Sequence, residues 1–408
     1  MESGSMTAAT SVGDIRRRLS QSVVLRYGSA LRGVSGDALA AASICEVGRI
    51  LPLAAVDGVH LDLLDLSTGS TTGTFKDWLA CVAVARSWER GDTAVLFQSS
   101  GNTGMALSVY ASRLGILPLF LYPEGSQYKL DARLLNGTEA ILFEVARSEP
   151  EIKRLTGALA QALTLPQIPD LDTQIEANKL RAYLLLDHYR LTGVWHQWHA
   201  QALSSAFGPL GLFQGFQELR SSLGREGLAP PRLYGVQQEA VCPWARLFQH
   251  CHDRDSSGGG AAVIEPTLFR TRPGPDLVRR MDRLMATYGG SITALFNADY
   301  QRLRPRAMAL LAEAGLSFGI SIREGRRPVQ AEQAGILALC GVLGGLETGV
   351  FRRGERVLVA MTGGCRPNVL AQAEPDLRIG PGMSDAEIIA RASELLARRL
   401  ARPQTLAG

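Results

Sequence analysis

The chain has 408 residues, 46% hydrophobic and 20% charged, a composition that suits a globular protein of two domains. Its 43 basic and 39 acidic side chains leave a net charge of +4, which gives no argument for a nucleic-acid or anionic-membrane partner. No apolar run reaches about 18 residues, Met1 to Asp14 lack the core of a secretory signal, and six scattered cysteines without CxxC or zinc spacing point to free thiols, no metal and a cytoplasmic setting.

Residues 1–20 read as a disordered N-terminus. Strand-like Ile50–Leu53 and Leu61–Leu66 follow, then a Ser/Thr/Gly run, Ser67–Thr74, leading into an apolar helix over Trp78–Trp88. Ala94–Phe97 is a buried strand running into Ser99–Gly104 and a helix over Met105–Leu114. Strands at Ile116–Tyr122 and Ala140–Val145 complete the βαβ spacing of a parallel sheet. A long helix over Ala177–Thr192 precedes a strand at Ala200–Ser205, a turn at Phe207–Gly211 that opens a helix, and a strand at Arg232–Val236. Further helices are predicted over Asp276–Tyr288 and Gln301–Ala314, from Pro328 onward, and over Asp385–Leu400. Val357–Met361 is a buried strand ending in Thr362-Gly363-Gly364.

Only four of the 43 basic residues are lysine: Lys76, Lys129, Lys153 and Lys179. Where arginine is the default cation, a lysine is kept for what arginine cannot do, which is to lose its proton and attack a carbonyl. Lys76 follows Thr72-Gly73-Thr74-Phe75 and opens a helix. Phe75 and Asp77 beside it disfavour a nucleotide P-loop, which needs Gly before the lysine and Ser/Thr after it. Lys76 is thus a candidate Schiff-base lysine, or else an ordinary helix-start lysine at the positive end of a helix dipole. Ser99–Gly104 lies between a strand and a helix, where exposed N–H groups bind carboxylate or phosphate. Taken alone, its Ser, Asn and Thr read as helix caps; set a short way after the Lys76 loop, with one helix and one strand between, they read as an anion site. No G-x-G-x-x-G follows a strand, so a nicotinamide dehydrogenase is excluded.

Together, Thr72-Gly73-Thr74-Phe75-Lys76 and Ser100-Gly101-Asn102-Thr103-Gly104 resemble the fold-type II pyridoxal-phosphate enzymes, the tryptophan synthase β-like group, most closely its threonine synthase and cysteate synthase branch. The resemblance runs from about residue 45 to 370. It implies an α/β fold of two parallel-sheet, three-layer domains with the cofactor in the cleft between them. Residues 77–192 would be a small substrate-binding domain inserted into a large cofactor-binding domain, 21–76 and 193–408. By the same resemblance Lys76 would hold pyridoxal 5'-phosphate as an internal aldimine and serve as the reaction's base. Asn102 would hydrogen-bond the ring hydroxyl, and Ser100, Gly101, Thr103 and Gly104 would receive the substrate carboxylate.

The family's phosphate cradle matches Phe207-Gly208-Pro209-Leu210-Gly211, with Gly208, Leu210 and Gly211 as donors. Pro209 has no N–H, and Phe207 is bulky for such a loop. Thr362 would meet the pyridine nitrogen. A hydroxyl there does not keep that nitrogen protonated, which suits β-elimination and β-replacement. Cys365 stands where cysteate synthases carry a third glycine. The pairs Arg270/Arg272 and Arg326/Arg327 flank regions that close over the site in relatives, where an anionic leaving group or nucleophile would need such forks. The implied activity is β-replacement, through an aminoacrylate, on an O-phosphorylated amino acid: O-phospho-L-serine with sulfite or another small nucleophile. The alternatives are threonine synthase-like chemistry on O-phosphohomoserine, a Ser/Thr dehydratase-type lyase, and a catalytically silent binding protein. A homodimer is the family's habit.

Overall fold

The computed structural model describes residues 22–248, 261–265, 267–268, 270, 272–316, 320–321, 329–330, 332–363 and 373–401. The expected disordered segment 1–20, together with Arg326, Arg327, Gly364 and Cys365, lies outside the described residues.

Helix α1 (Gly36–Ala42) precedes strands β1 (Arg49–Val56) and β2 (Val59–Asp65) and helix α2 (Lys76–Glu89). Asp57 and Gly58, with φ of 54° and 82°, make the two-residue turn between β1 and β2. Next come β3 (Ala94–Gln98), α3 (Asn102–Arg113), β4 (Leu117–Pro123) and β5 (Ile141–Val145). Helices α4 (Glu149–Leu163) and α5 (Leu171–Thr192) follow. The third run holds β6 (Trp198–Ala202), α6 (Phe207–Glu218), β7 (Arg232–Gln238), α7 (Pro275–Tyr288) and β8 (Gly290–Leu295). The remainder is α8 (Asn297–Glu313), β9 (Ile320–Ser321), β10 (Val329–Gln330), α9 (Gln333–Glu347), β11 (Arg356–Met361), β12 (Leu377–Ile379) and α10 (Asp385–Leu400).

Two sheets organise the molecule. One runs β1-β2-β11-β6-β7-β8, with β1 antiparallel and the other pairings parallel; the second runs β12-β5-β4-β3, all parallel. Each lies between helical layers, which is why β3, β4 and β5 are near-continuous apolar runs buried on both faces. Residues of α2, α3, α5 and α6 join a core shared by both sheets. The apolar α9 and α8 fill the far side of the larger sheet, and α4 and α10 the far side of the smaller. This is the expected α/β, three-layer architecture.

The structure differs from the sequence expectations at several points, among them the strands β8 and β12, which the sequence reading did not include. Strand β6 ends at Ala202, because Ser204 and Ser205 already belong to the turn before α6. Helix α4 was not anticipated, although Ser148 and Glu151 form its capping box. The helix start expected at Pro328 lies outside the described residues; Val329–Gln330 pair antiparallel with Ile320–Ser321, and α9 begins at Gln333, capped by the Glu332 side chain, which accepts from the Gly335 N–H at 2.8 Å. The tail was expected with the large domain. Instead β12 pairs with β5, and Arg147 and Arg154 of the smaller-sheet side hold Asp385 of α10. Helix α5, expected with the small domain, is pressed onto α6. A Cβ at Gly211 would lie 2.4 Å from the Ile175 carbonyl oxygen and one at Gly215 2.3 Å from that of Lys179, so only glycine permits the approach.

Candidate active site

A cavity of about 340 Å³ opens at the carboxyl ends of strands from both sheets, the usual ligand position in parallel α/β folds. Gln98 at the end of β3 and Ser99 after it, Gln201 and Ala202 of β6, and Thr362 and Gly363 after β11 reach it, as does Lys76. Three segments supply its chemistry.

The first is the loop into α2. Asp77 is buried and accepts from the Thr72 N–H (2.9 Å) and the Thr72 hydroxyl, which fixes the loop. The Lys76 N–H donates to Thr74 Oγ1 at 3.2 Å, and the Phe75 N–H to the Thr362 carbonyl at 3.3 Å. Lys76 is half-buried, its exposure being to the cavity, and its Nζ lies 4.2 Å from the Phe75 ring centre. Burial first, and the Arg181 guanidinium second, pull its pKa down to about 7. Such an amine is partly neutral at neutral pH and so nucleophilic.

The second segment is Ser99–Gly104. Gly101 has φ 140° and ψ −80°, which a side chain would disfavour, and turns the chain into α3. No side chain caps this helix, so its first N–H groups keep no intrahelical acceptor. Ser100, Asn102 and Thr103 line the cavity. Gly101 and Gly104 are buried beside it and do not line it; a Cβ at Gly104 would fall 2.1 Å from the Phe120 ring.

The third is the turn into α6. Ala206 takes φ 64°, and Ser204, Ser205, Ala206, Phe207 and Gly208 line the cavity. Of the expected donors Gly208, Leu210 and Gly211, only Gly208 does. The helix begins at Phe207, so the Leu210 N–H already donates to the Ala206 carbonyl (3.1 Å), and Gly211 is packed against Asn178 and Ile175. Pro209 occupies the third helical position, where an N–H would have no intrahelical acceptor, so its missing donor breaks no ladder bond.

Thr362, 7% exposed, is set by its N–H donating to Glu332 Oε1 at 2.9 Å. Arg270 lines the cavity and lies 3.8 Å from Glu149; Arg272 is exposed and does not.

Comparison with known proteins bears on the fold. The chain is 23% identical over 326 residues to a threonine synthase of Bacillus sp. (strain ULM1), covering 78% of this chain and 82% of that protein. It is 24% identical over 305 residues to a cysteate synthase of Methanospirillum hungatei JF-1, covering 72% and 67%. No family model matches. Among solved structures, threonine synthase from Escherichia coli superposes with a TM-score of 0.61 at 14% identity, covering 94% of this chain and 91% of that one. The fold is that of the fold-type II pyridoxal-phosphate enzymes.

The residues present fit the cofactor of fold-type II enzymes. The cavity offers one amine near neutrality, a helix N-terminus with free N–H groups for a phosphate, and the Thr362 hydroxyl. Gly208 leaves its backbone bare: a Cβ there would meet Gln201 Nε2 at 2.5 Å and Arg181 Nη1 at 2.9 Å.

Several cavity residues carried no local motif. Lys153, given no role from sequence, reaches the mouth of the cavity, where Glu149 joins it to Arg270. The spacing of Glu149 and Lys153 on one helix face was the signal available for that pair. Gln238, buried at the end of β7, donates to the carbonyls of Glu265 (3.0 Å) and Leu268 (2.9 Å) and accepts from the N–H groups of Ile264 (2.8 Å) and Glu265 (3.0 Å). It thereby pins a stretch of which Glu265, Thr267 and Leu268 face the cavity. Among the described residues no helix is long and apolar enough to cross a membrane, and no His, Cys, Asp and Glu cluster is arranged to hold a metal.

Proposed function

We propose that this protein is a pyridoxal-phosphate-dependent enzyme of elimination or replacement on O-substituted amino acids, and that its substrate carries an O-phosphate, as in cysteate synthase-type β-replacement on O-phospho-L-serine. The carrying observation is Lys76: an amine drawn down to about pKa 7, set between the N-termini of α3 and α6. Lys76 would hold the cofactor aldehyde through Nζ and, once the substrate amine has displaced it, accept the α-proton there. The free N–H groups of α6 and the bare backbone of Gly208 suit a phosphate, and those of α3, with the Ser100 and Thr103 hydroxyls, a substrate carboxylate. Asn102 offers its amide to a ring oxygen and Thr362 a hydroxyl, rather than a carboxylate, to a ring nitrogen. Bound there, pyridoxal phosphate supplies the electron sink that lets the α-proton and a β-substituent leave. Lys153 and Arg270 at the mouth of the cavity support an anionic substituent.

The test is the visible spectrum of the purified protein with pyridoxal phosphate, followed by O-phospho-L-serine with and without sulfite. Phosphate release that gives cysteate with sulfite supports the reading. A protein that stays colourless sinks it. Threonine from O-phosphohomoserine would move the activity to the threonine synthase type, which the relative from Bacillus also favours, and a keto acid with ammonia would mark a lyase. A homodimer is proposed as its working form, to be checked by light scattering.

A further inference from the structure

Arg181 of α5 is fully buried, with no exposed surface. Its Nη1 donates to Gln201 Oε1 at 2.8 Å, while Nε and Nη2 have no hydrogen-bond partner. No carboxylate forms an ion pair with it among the described residues, and burial alone lowers its pKa to about 9. Its guanidinium carbon lies 4.7 Å from the centre of the Phe75 ring, the ring that also carries Lys76 Nζ. Nearby His199 offers no negative charge: burial first, then Arg181, push its pKa down to about 3 and keep it neutral. A buried cation without an anion is among the least favourable arrangements in a protein interior, so this one calls for a counter-charge from outside the chain.

The place where that charge would arrive is also visible. Arg181 Nη1 comes within 2.9 Å of where a Cβ on Gly208 would stand, and Gln201 Nε2 within 2.5 Å. Gly208 and Gln201 both line the cavity, so the guanidinium sits one layer behind the first turn of α6. That turn is poor in donors, since Pro209 has none and Leu210 has committed its own to the helix.

We propose that Arg181 is the counter-cation of an anion cradle at the N-terminus of α6, a positioning residue that acts with Gln201 behind Gly208 and makes up for the donors which Pro209 and Leu210 withdraw. This rests on the functional reading above, in which the anion is the phosphate of pyridoxal phosphate. A guanidinium suits the task, because it stays charged when buried and presents several donors in a fixed plane. A second consequence follows from its position: after burial, the charge that meets the anion is the other contributor to the lowered Lys76 pKa. An anion in the cradle would relieve that effect.

The experiment compares pyridoxal phosphate with pyridoxal, the same aldehyde without the phosphate, titrated into the full-length chain freed of cofactor. Wild type, Arg181→Met and Arg181→Lys are followed by absorbance, and the ratio of the two affinities cancels any change in the amine itself. Arg181→Met is expected to lower that ratio by about 10- to 100-fold, the worth of a charged hydrogen bond, and Arg181→Lys to retain most of it. Equal losses for both aldehydes, or an unchanged ratio, would show a purely structural arginine and overturn the proposal. Should Arg181→Met fail to fold, wild type decides: inorganic phosphate is expected to raise the pH midpoint of Lys76 acylation in the cofactor-free chain, and no upward shift overturns the proposal. Wild type that takes neither aldehyde on Lys76 would sink the functional reading and this one with it. Wild type that binds pyridoxal phosphate at Lys76, with a ratio indifferent to Arg181, would remove this one alone.

Discussion

Two helix N-termini face the same cavity, and they are built differently. The N-terminus of α3 is assembled from its own loop: Gly101 bends the chain, and Ser100, Asn102 and Thr103 bring their polar groups within five residues. The N-terminus of α6 has only part of such a loop, Ser204 and Ser205, which also line the cavity. Past those serines the chain runs Ala206, Phe207, Gly208 and Pro209, and further polar side chains behind it, Arg181 and Gln201, come from a neighbouring helix and strand. A site made of local sequence can bind through backbone and short side chains held by one turn. A site made of borrowed groups needs close packing between elements, which here is the contact of α5 and α6 through Gly211 and Gly215.

The largest expected effect falls on the residue between the two. Lys76→Ala should abolish the borohydride-reducible adduct and cut turnover by on the order of 10³-fold or more. Residual adduct on the same peptide would show that neither terminus serves an amine at position 76.

Next in size is a pH effect. In the cofactor-free chain, acylation of Lys76 should rise through about pH 7 rather than 10.5. The folded pKa is below the unfolded one, so the unfolded chain binds more protons between these values. The resulting loss of stability is complete below about pH 7 and disappears as pH rises toward 10.5. Lys76→Met should therefore raise the unfolding temperature of the cofactor-free chain near pH 7, with a gain that shrinks on going to pH 10.

The two termini should also respond differently to a single methyl group. Gly211→Ala forces α5 and α6 apart and should destabilise the fold by about 1–3 kcal/mol, weakening pyridoxal phosphate more than pyridoxal. Gly101→Ala strains only its own turn, by roughly 1–3 kcal/mol, and should weaken the amino-acid substrate more than the cofactor. Denaturant unfolding and binding of the two aldehydes and the substrate check both. The reverse pattern would mean that the roles assigned to the two helix ends are exchanged.

The smallest effect is expected at Pro209→Ala. It should lower stability by about 0.5–1 kcal/mol through the freer unfolded chain and leave pyridoxal phosphate binding unchanged or tighter by a few-fold. A clear loss of binding would show that the proline shapes the cradle directly.

Much of the α3 side was legible in the sequence because its signals are contiguous: a Gly/Thr loop before Lys76, and Ser-Gly-Asn-Thr-Gly after a buried strand. The α6 side was legible only in outline. Its glycines marked a strand-to-helix turn but did not show where the helix would begin. That start at Phe207 removes Leu210 and Gly211 from the cavity. Arg181, Gln201 and Lys153 sit in helices and a strand with no motif around them, so nothing in their neighbours' identities sets them apart. The same holds for β12, a three-residue strand whose place beside β5 depends on a partner more than 200 residues away.

By itself, then, the sequence determined the α/β class, the strand–helix rhythm and the two loops beside Lys76, because each depends on periodicity or on backbone conformations encoded within a few residues. Tertiary structure alone decided that the tail joins the smaller sheet, that α5 lies on α6, and that a buried arginine stands behind Gly208 near the Lys76 amine, whose pKa burial brings close to neutrality. Burial and long-range contact set the energy of a charge, and neither is written in the residues next to it.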